Sequence, residues 1–315
     1  MSDLLPIESQ NFHRMANSGM RKLNFMPGLP PVANAEFIED REKRPIRVLC
    51  LGMPRTGTMS LGLALGTLGY RCYNHIEACA VPERDMKSWN EALDAKFFGG
   101  EGKRYGRNEF ARILKGFDAV ADGPAVPYFA EDLIEAFPEA KVVLTERPVD
   151  DWIRSISNSV AAAWGWWSWP LVVWAEPAAA EWYRESRRME KISHFADSHT
   201  AGKRLIRAHY TDYYAHIRKV CPKERLLDFK LGVHGYKELC EFLGEKEPEG
   251  QSYPQINESK TFVPLYSVWW WYCFRLAAQK VLPRALVGGI AMWTLWRRRR
   301  DLPGYLTSLK AFLLY

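Results

Sequence analysis

The sequence predicts a three-layer α/β domain, a parallel sheet flanked by helices, with an aromatic C-terminal extension. Three observations lead there. Short apolar stretches at Val48–Leu51, within Asp118–Asp122 and at Lys141–Thr145 have the near-continuous hydrophobicity of strands buried on both faces. Each is followed by residues with helical spacing, and Gly or Pro stands at each carboxyl end: Gly52 and Pro54, Gly123 and Pro124, Pro148. Strand alternating with helix favours a parallel sheet joined by right-handed crossovers.

Residues 1–45 mix Pro, Gly, Asn and charge without a sustained period, and read as a loosely ordered arm with no chemistry assigned. After the first strand, Leu61, Leu65 and Leu68 recur at helical spacing beside Ala64, and Gly69 is a C-terminal stop. Arg84–Leu93 reads as a polar helix after Pro82, Gly99–Asn108 as a surface loop, and Phe110–Leu114 as the opening of a short helix. Tyr128–Phe137 is an amphipathic helix ended by Pro138. Arg184–Cys221 is basic and predicts two helices covering the sheet, with solvated charged faces. Arg225–Phe229 is the last strand and Gly235–Gly244 a glycine-capped helix. The domain is thus expected over residues 46–260, and the extension over 261–315.

Among 315 residues, 43 basic and 37 acidic side chains leave a net charge of +6. That excess favours anionic ligands or an acidic membrane surface and falls short of a nucleic-acid binder. Six cysteines, at 50, 72, 79, 221, 240 and 273, form no CxxC pair and no ligand spacing with histidine, so reduced thiols are expected. The N-terminal residues lack the basic start and apolar core of a secretory signal. A cytoplasmic location is expected, with peripheral attachment or a tail anchor on a membrane as the variant reading.

The turn after the first strand carries the most chemistry. In Gly52-Met53-Pro54-Arg55-Thr56-Gly57-Thr58-Met59-Ser60, glycines permit close backbone approach and the helix start offers unpaired N–H groups to an anion. Gly52 and Gly57 have the spacing of a nucleotide-triphosphate P-loop, yet Thr58 stands where that loop carries lysine, which weakens an ATPase or kinase reading. Arg55 supplies positive charge from inside the turn instead.

A second anion site is expected at the end of the Lys141–Thr145 strand. Arg147 can hold a phosphate through a forked pair of hydrogen bonds, and Ser155 can add a hydroxyl from the helix that Asp150 and Asp151 open. The competing reading pairs Asp150 or Asp151 with Arg154 and leaves Arg147 as surface charge. Asp122 ends a strand where the ligand crevice of an open α/β sheet lies. His75, near the turn, is a second candidate base or hydroxyl binder beside a structural reading.

The Pro54-Arg55-Thr56-Gly57-Thr58 run resembles the 5′-phosphosulfate loop of sulfotransferases that use 3′-phosphoadenosine 5′-phosphosulfate (PAPS), and Arg147-Pro-x-Asp-x-Trp-x-x-Ser155 resembles their 3′-phosphate motif. With the Leu239–Gly244 ending, Pro254 and Asn257, the stretch from Ile46 to Asn257 resembles the divergent sulfotransferase-like P-loop proteins of fungi. That resemblance implies a P-loop NTPase-like fold and PAPS as cofactor, with no metal. It places Pro54, Arg55, Thr56, Gly57, Thr58, Met59 and Ser60 around the 5′ end, and Arg147 and Ser155 on the 3′-phosphate. Asp122 lies where such enzymes carry a catalytic His or acid, with Arg55 supplying charge and His75 as the alternative base. The implied reaction moves a sulfuryl group to a hydroxyl or amine of a hydrophobic small molecule; a non-catalytic, membrane-associated protein of the same fold is the alternative.

Two aromatic stretches stand outside these motifs. Val160–Trp182 holds tryptophans at 164, 166, 167, 169, 174 and 182, a density that suits a lid around an apolar acceptor or a membrane or homodimer patch. Beyond Thr261, Arg275, Lys280, Pro283 and Arg284 split an apolar run into pieces too short to span a bilayer. A pair of interfacial segments or a hairpin is expected there, with Arg297–Arg300 drawn to anionic headgroups; a packing arm with a basic cap is the alternative.

Overall fold

The computed structural model describes residues 44–80, 84–100, 102–123, 125–193, 200–255 and 262–298. The expected N-terminal arm lies outside them apart from its last two residues, as do Pro82, Pro124, Asn257, Arg299 and Arg300.

Five strands form one parallel sheet: β1 (Val48–Cys50), β2 (Cys72–Tyr73), β3 (Ala119–Val120), β4 (Lys141–Glu146) and β5 (Leu226–Lys230), in the order β2-β3-β1-β4-β5. The period of two sorts β1 between two cores. Leu49 and Leu51 join Val120, Val142 and Leu144 on one face, while Val48 and Cys50 join Ala119, Val143 and Phe229 on the other.

The second face is covered by α1 (Thr58–Thr67) and, near the C-terminus of the domain, by a helix over Tyr236–Leu243. Gly69 and Gly244 follow these helices in the left-handed conformation, as the sequence predicts. The first face receives α2 (His75–Ala80), α3 (Asp85–Phe97), α4 (Arg107–Ile113) and α5 (Ala130–Ala136). The helix expected to be polar is longer and amphipathic: Met86, Trp89, Ala92 and Leu93 of α3 are buried. After β4, α6 (Val149–Ile156) runs into a widened π turn over Ser157–Ala161, where the Ser159 hydroxyl donates to the Ser155 carbonyl at 2.6 Å. Then come α7 (Trp169–Val173), α8 (Pro177–Ser193), α9 (Thr200–Val220), α10 (Tyr236–Leu243) and α11 (Phe262–Arg298).

The tryptophan-rich stretch divides between core and surface. Trp164, Trp169 and Trp182 are buried; Trp169 donates from Nε1 to the Ala163 carbonyl and its ring lies 4.6 Å from that of Trp182. Trp167 and Trp174 are exposed.

The C-terminal region corrects the expected pair of short segments, for α11 runs unbroken through Pro283. Arg275 does not interrupt it because it lies on the side opposite buried Cys273 and Ala277, and Lys280, on the docked side, pairs with Glu176. Pro283 removes one backbone donor, and Arg284 Nη1 donates to the Lys280 carbonyl in that same turn, at 3.2 Å. No helix among the described residues is long and apolar enough to cross a membrane.

Glu185 of α8 is wholly buried, and neither carboxyl oxygen has a hydrogen-bond partner. Burial, then the neighbouring Glu181 charge, push its carboxyl well above the usual carboxylate range, so it is neutral in the folded protein. In the unfolded chain it ionises near pH 4.3. The folded state therefore holds the extra proton above that pH, and stability falls as pH rises, by up to about 1.4 kcal/mol per unit until the folded-state value is reached. Glu185→Gln removes this slope. Its melting temperature should exceed that of the parent by a margin that widens from pH 5 to pH 8; a pH-independent margin would contradict a neutral, buried Glu185.

Candidate functional site

The strand order reverses at β1, whose neighbours β3 and β4 continue to opposite sides, so the carboxyl ends of β1, β3 and β4 open a crevice. The Gly52–Gly57 loop fills its centre. Gly52 passes so close to β4 that a Cβ there would lie 1.8 Å from Thr145 Oγ1, which leaves room for glycine alone. Thr56 donates from its hydroxyl to the Met53 carbonyl at 2.6 Å and lies 2.8 Å from Thr145 Oγ1. Its hydroxyl closes the loop onto the strand and is turned inward. Gly57 begins α1 at φ 93°, where an added Cβ would also meet Leu231 Cδ1 at 2.6 Å.

Three non-glycine residues among those described have left-handed backbones: Arg55 at φ 72°, Asp122 at 58° and Ala125 at 50°. All three lie in the loops that follow β1 and β3. Such conformations cost about 1–3 kcal/mol each and persist where the surroundings enforce them, often at functional sites.

The sequence-predicted residues converge here. Thr58 donates to Asp122 Oδ1 at 2.6 Å, and the Asp122 carbonyl accepts the His75 backbone N–H at 2.8 Å. The two candidate bases thus sit side by side. The walls of the crevice desolvate both although each keeps some exposed surface. Burial raises the Asp122 carboxyl, with the Thr58 hydrogen bond and then the Arg55 charge pulling it back; burial lowers the His75 imidazole to about 4, so it is neutral at pH 7.

From the other side, Arg147 Nη1 donates to the backbone carbonyl of Arg55 at 3.1 Å, tying the end of β4 to the loop after β1. Arg147 Nε and Ser155 Oγ are buried with no hydrogen-bond partner. Leaving such groups unmade costs about 1–3 kcal/mol each, so a ligand with acceptor oxygens fits them. Arg154 pairs with Asp151 and Arg207 with Asp150, which leaves Arg147 outside the ion pairs of its own segment. Met59 and Ser60 complete the first turn of α1, and Pro54 accepts from Trp152 Nε1 at 2.8 Å.

Three tyrosines of α9 hold this arrangement; the stretch forms the two expected helices covering the sheet, but the sequence reading gave these tyrosines no role. Tyr214 accepts from the Met53 N–H at 3.1 Å and donates to the Thr145 carbonyl at 2.6 Å. Tyr210 brackets Arg147, accepting from its N–H at 3.3 Å and donating to its carbonyl at 2.9 Å, while packing 4.4 Å from the Trp152 ring. Tyr213 donates to the Leu51 carbonyl. The signal was an apolar stripe at helical spacing, Ile206, Tyr210, Tyr214 and Ile217, all buried. Among the described residues no three His, Cys, Asp or Glu side chains gather as a metal site would require.

Tyr214→Phe leaves a buried donor at Met53 and a buried acceptor at Thr145. It should destabilise the protein by about 2 kcal/mol or more in denaturant unfolding; a change below about 0.5 kcal/mol would show that the tyrosine does not hold the loop.

Two comparisons with known proteins place the chain in a family. The sequence profile described as "Sulfotransferase domain" matches residues 47–262. A curated relative from Aspergillus versicolor, "Ava biosynthesis cluster protein M", is 34% identical over 262 residues, covering 82% of this chain and 99% of the relative. The profile spans the sheet, the loop after β1 and the α9 helix that pins it, and on that match the chain belongs to the sulfotransferase-domain family.

Proposed function

We propose that the chain transfers a sulfuryl group from PAPS to a hydroxyl or amine of a hydrophobic small molecule. The observation that carries this reading is the Arg147–Arg55 hydrogen bond, which sets an arginine with an unmatched Nε against a glycine-framed helix start; a second unmatched group, the Ser155 hydroxyl, is carried by the helix that follows the same strand. A nucleotide with phosphates at both ends is the ligand these two half-sites suit together.

In this reading the N–H groups of Gly57, Thr58, Met59 and Ser60 and the Arg55 guanidinium hold the 5′ end, and Arg147 with Ser155 holds the 3′-phosphate. Thr58 meets the anion through its backbone, because its hydroxyl proton is given to Asp122. When bound, PAPS supplies the sulfuryl group and a phosphate as the leaving group. Arg55 and the start of α1 place positive charge where that phosphate departs, as catalysis of group transfer requires. Asp122 takes the proton from the acceptor: its raised proton affinity improves it as a base, while the Thr58 hydrogen bond fixes its orientation. His75, neutral beside it, accepts a hydrogen bond from the incoming hydroxyl or serves as base in its place. The name of the Aspergillus versicolor relative ties that protein to a biosynthesis cluster, which supports a small-molecule acceptor here.

Titration calorimetry with adenosine 3′,5′-bisphosphate tests this reading. One site per chain is expected, weakened about 10- to 100-fold by Arg147→Ala and by Arg55→Ala, the worth of one charged hydrogen-bonding group. Adenosine 5′-phosphate should bind more weakly to the parent and lose little further affinity in Arg147→Ala. Absence of bisphosphate binding, or magnesium-dependent ATP turnover by the purified chain, would overturn it.

A further inference from the structure

The two halves of α11 have opposite surroundings. Between Trp270 and Lys280 the helix is docked: Trp270 packs on the core, Cys273 and Ala277 are buried, and Lys280 Nζ pairs with Glu176 at 2.7 Å. From Leu282 to Arg298 every residue is exposed. This exposed half is apolar, with the large side chains Leu286, Val287, Ile290, Met292, Trp293 and Leu295 between 55% and 71% accessible.

Their distribution decides what covers them. At about 100° per residue, Leu286, Val287, Ile290, Met292 and Leu295 point to every side of the helix, not along one stripe. A groove on a partner protein, or the same helix of a second copy, takes one face and leaves the others in water. A hydrocarbon medium covers all of them.

The ends fix the depth. The uncharged stretch Ala285–Trp296 has 12 residues, about 18 Å at 1.5 Å each, against about 30 Å of hydrocarbon in a bilayer. Arg284 bounds it at one end and Arg297, Arg298, Arg299 and Arg300 at the other. Both basic ends therefore meet the same headgroup layer, and the four consecutive arginines select an anionic one. Trp293 and Trp296, next to that run, have the half-wet character of side chains at a membrane interface.

We propose that the distal half of α11, Val281–Arg298, lies within one leaflet of an anionic phospholipid membrane, its length along the surface and both basic ends among the headgroups. The domain is held at the bilayer by the docked half of the same helix. This inference stands apart from the assignment of PAPS and would survive its failure.

Flotation of the purified full-length chain with vesicles tests it. Vesicles of phosphatidylcholine with 30% phosphatidylserine should carry the protein, and those of phosphatidylcholine alone at least about tenfold less. Leu286→Glu/Ile290→Glu should lower binding by at least about tenfold, and Arg297→Glu/Arg298→Glu should erase the preference for phosphatidylserine. All these positions are exposed, so the melting temperature should stay unchanged in both double variants. Failure of the parent to float with anionic vesicles would overturn the proposal, as would undiminished flotation of Leu286→Glu/Ile290→Glu. Lower melting temperature of that variant would show that the chain covers its own helix, and loss of a parent dimer without loss of flotation would show a second copy; either result overturns the proposal.

Discussion

Everything in the crevice depends on how closely the loop after β1 is drawn against the carboxyl end of β4. Parallel pairing in the register Leu49↔Val142 and Cys50↔Val143 delivers Gly52 onto Thr145, where no side chain fits. From there the chain turns through Arg55 in a left-handed conformation, and the Arg55 carbonyl faces the Arg147 guanidinium. Two loops separated by some ninety residues become one surface through the side-chain hydrogen bonds of Arg147 and Trp152 to the loop carbonyls, the Thr56–Thr145 contact and a missing Cβ. The three tyrosines of α9 then lock it from behind by capping the polar groups that so tight a loop leaves inside the protein.

Much of the fold was legible because its elements are locally consistent. Strands β1, β4 and β5, α1 with its glycine stop, and the glycine-capped α10 all follow from period, length and punctuation, and the structure places them within a residue or two. Of the candidate site, the Gly52–Ser60 loop, Arg147, Ser155 and Asp122 could be named from the sequence because anion chemistry restricts residue type and spacing, and the structure brings the loop into contact with Arg147 and Asp122. The tyrosines were not: phenols that hydrogen-bond backbone atoms in a distant loop have no local pattern of their own, and the abundant Arg and Lys around them masked the buried stripe. The C-terminal helix was misread for a related reason. Charges and one proline look like breaks in an apolar run, yet on a helix they face water, pair with an acid of the docked surface or cost one hydrogen bond, and α11 absorbs all three.

The molecule also carries features that stability alone would remove. Left-handed backbones at Arg55 and Asp122, an unmatched Arg147 Nε, and desolvated Asp122 and His75 lie in the segments at the carboxyl ends of β1, β2, β3 and β4, and the unmatched Ser155 Oγ is on the helix that follows β4. Each is unfavourable in isolation, and the proposed function gives them a common cause, a ligand that brings negative oxygens to Arg147 and Ser155 and an acceptor proton to Asp122. Glu185 of α8, buried without a hydrogen-bond partner for its carboxyl, is a further cost that the fold tolerates.

The account rests on one nucleotide spanning both half-sites, and a crystal structure with adenosine 3′,5′-bisphosphate bound tests that most directly. It should show the 5′-phosphate on the backbone N–H groups at the start of α1 beside Arg55, and the 3′-phosphate within hydrogen-bond distance of Arg147 Nε and Ser155 Oγ. A nucleotide bound elsewhere, or held at the α1 end with Arg147 and Ser155 still unmatched, would contradict it.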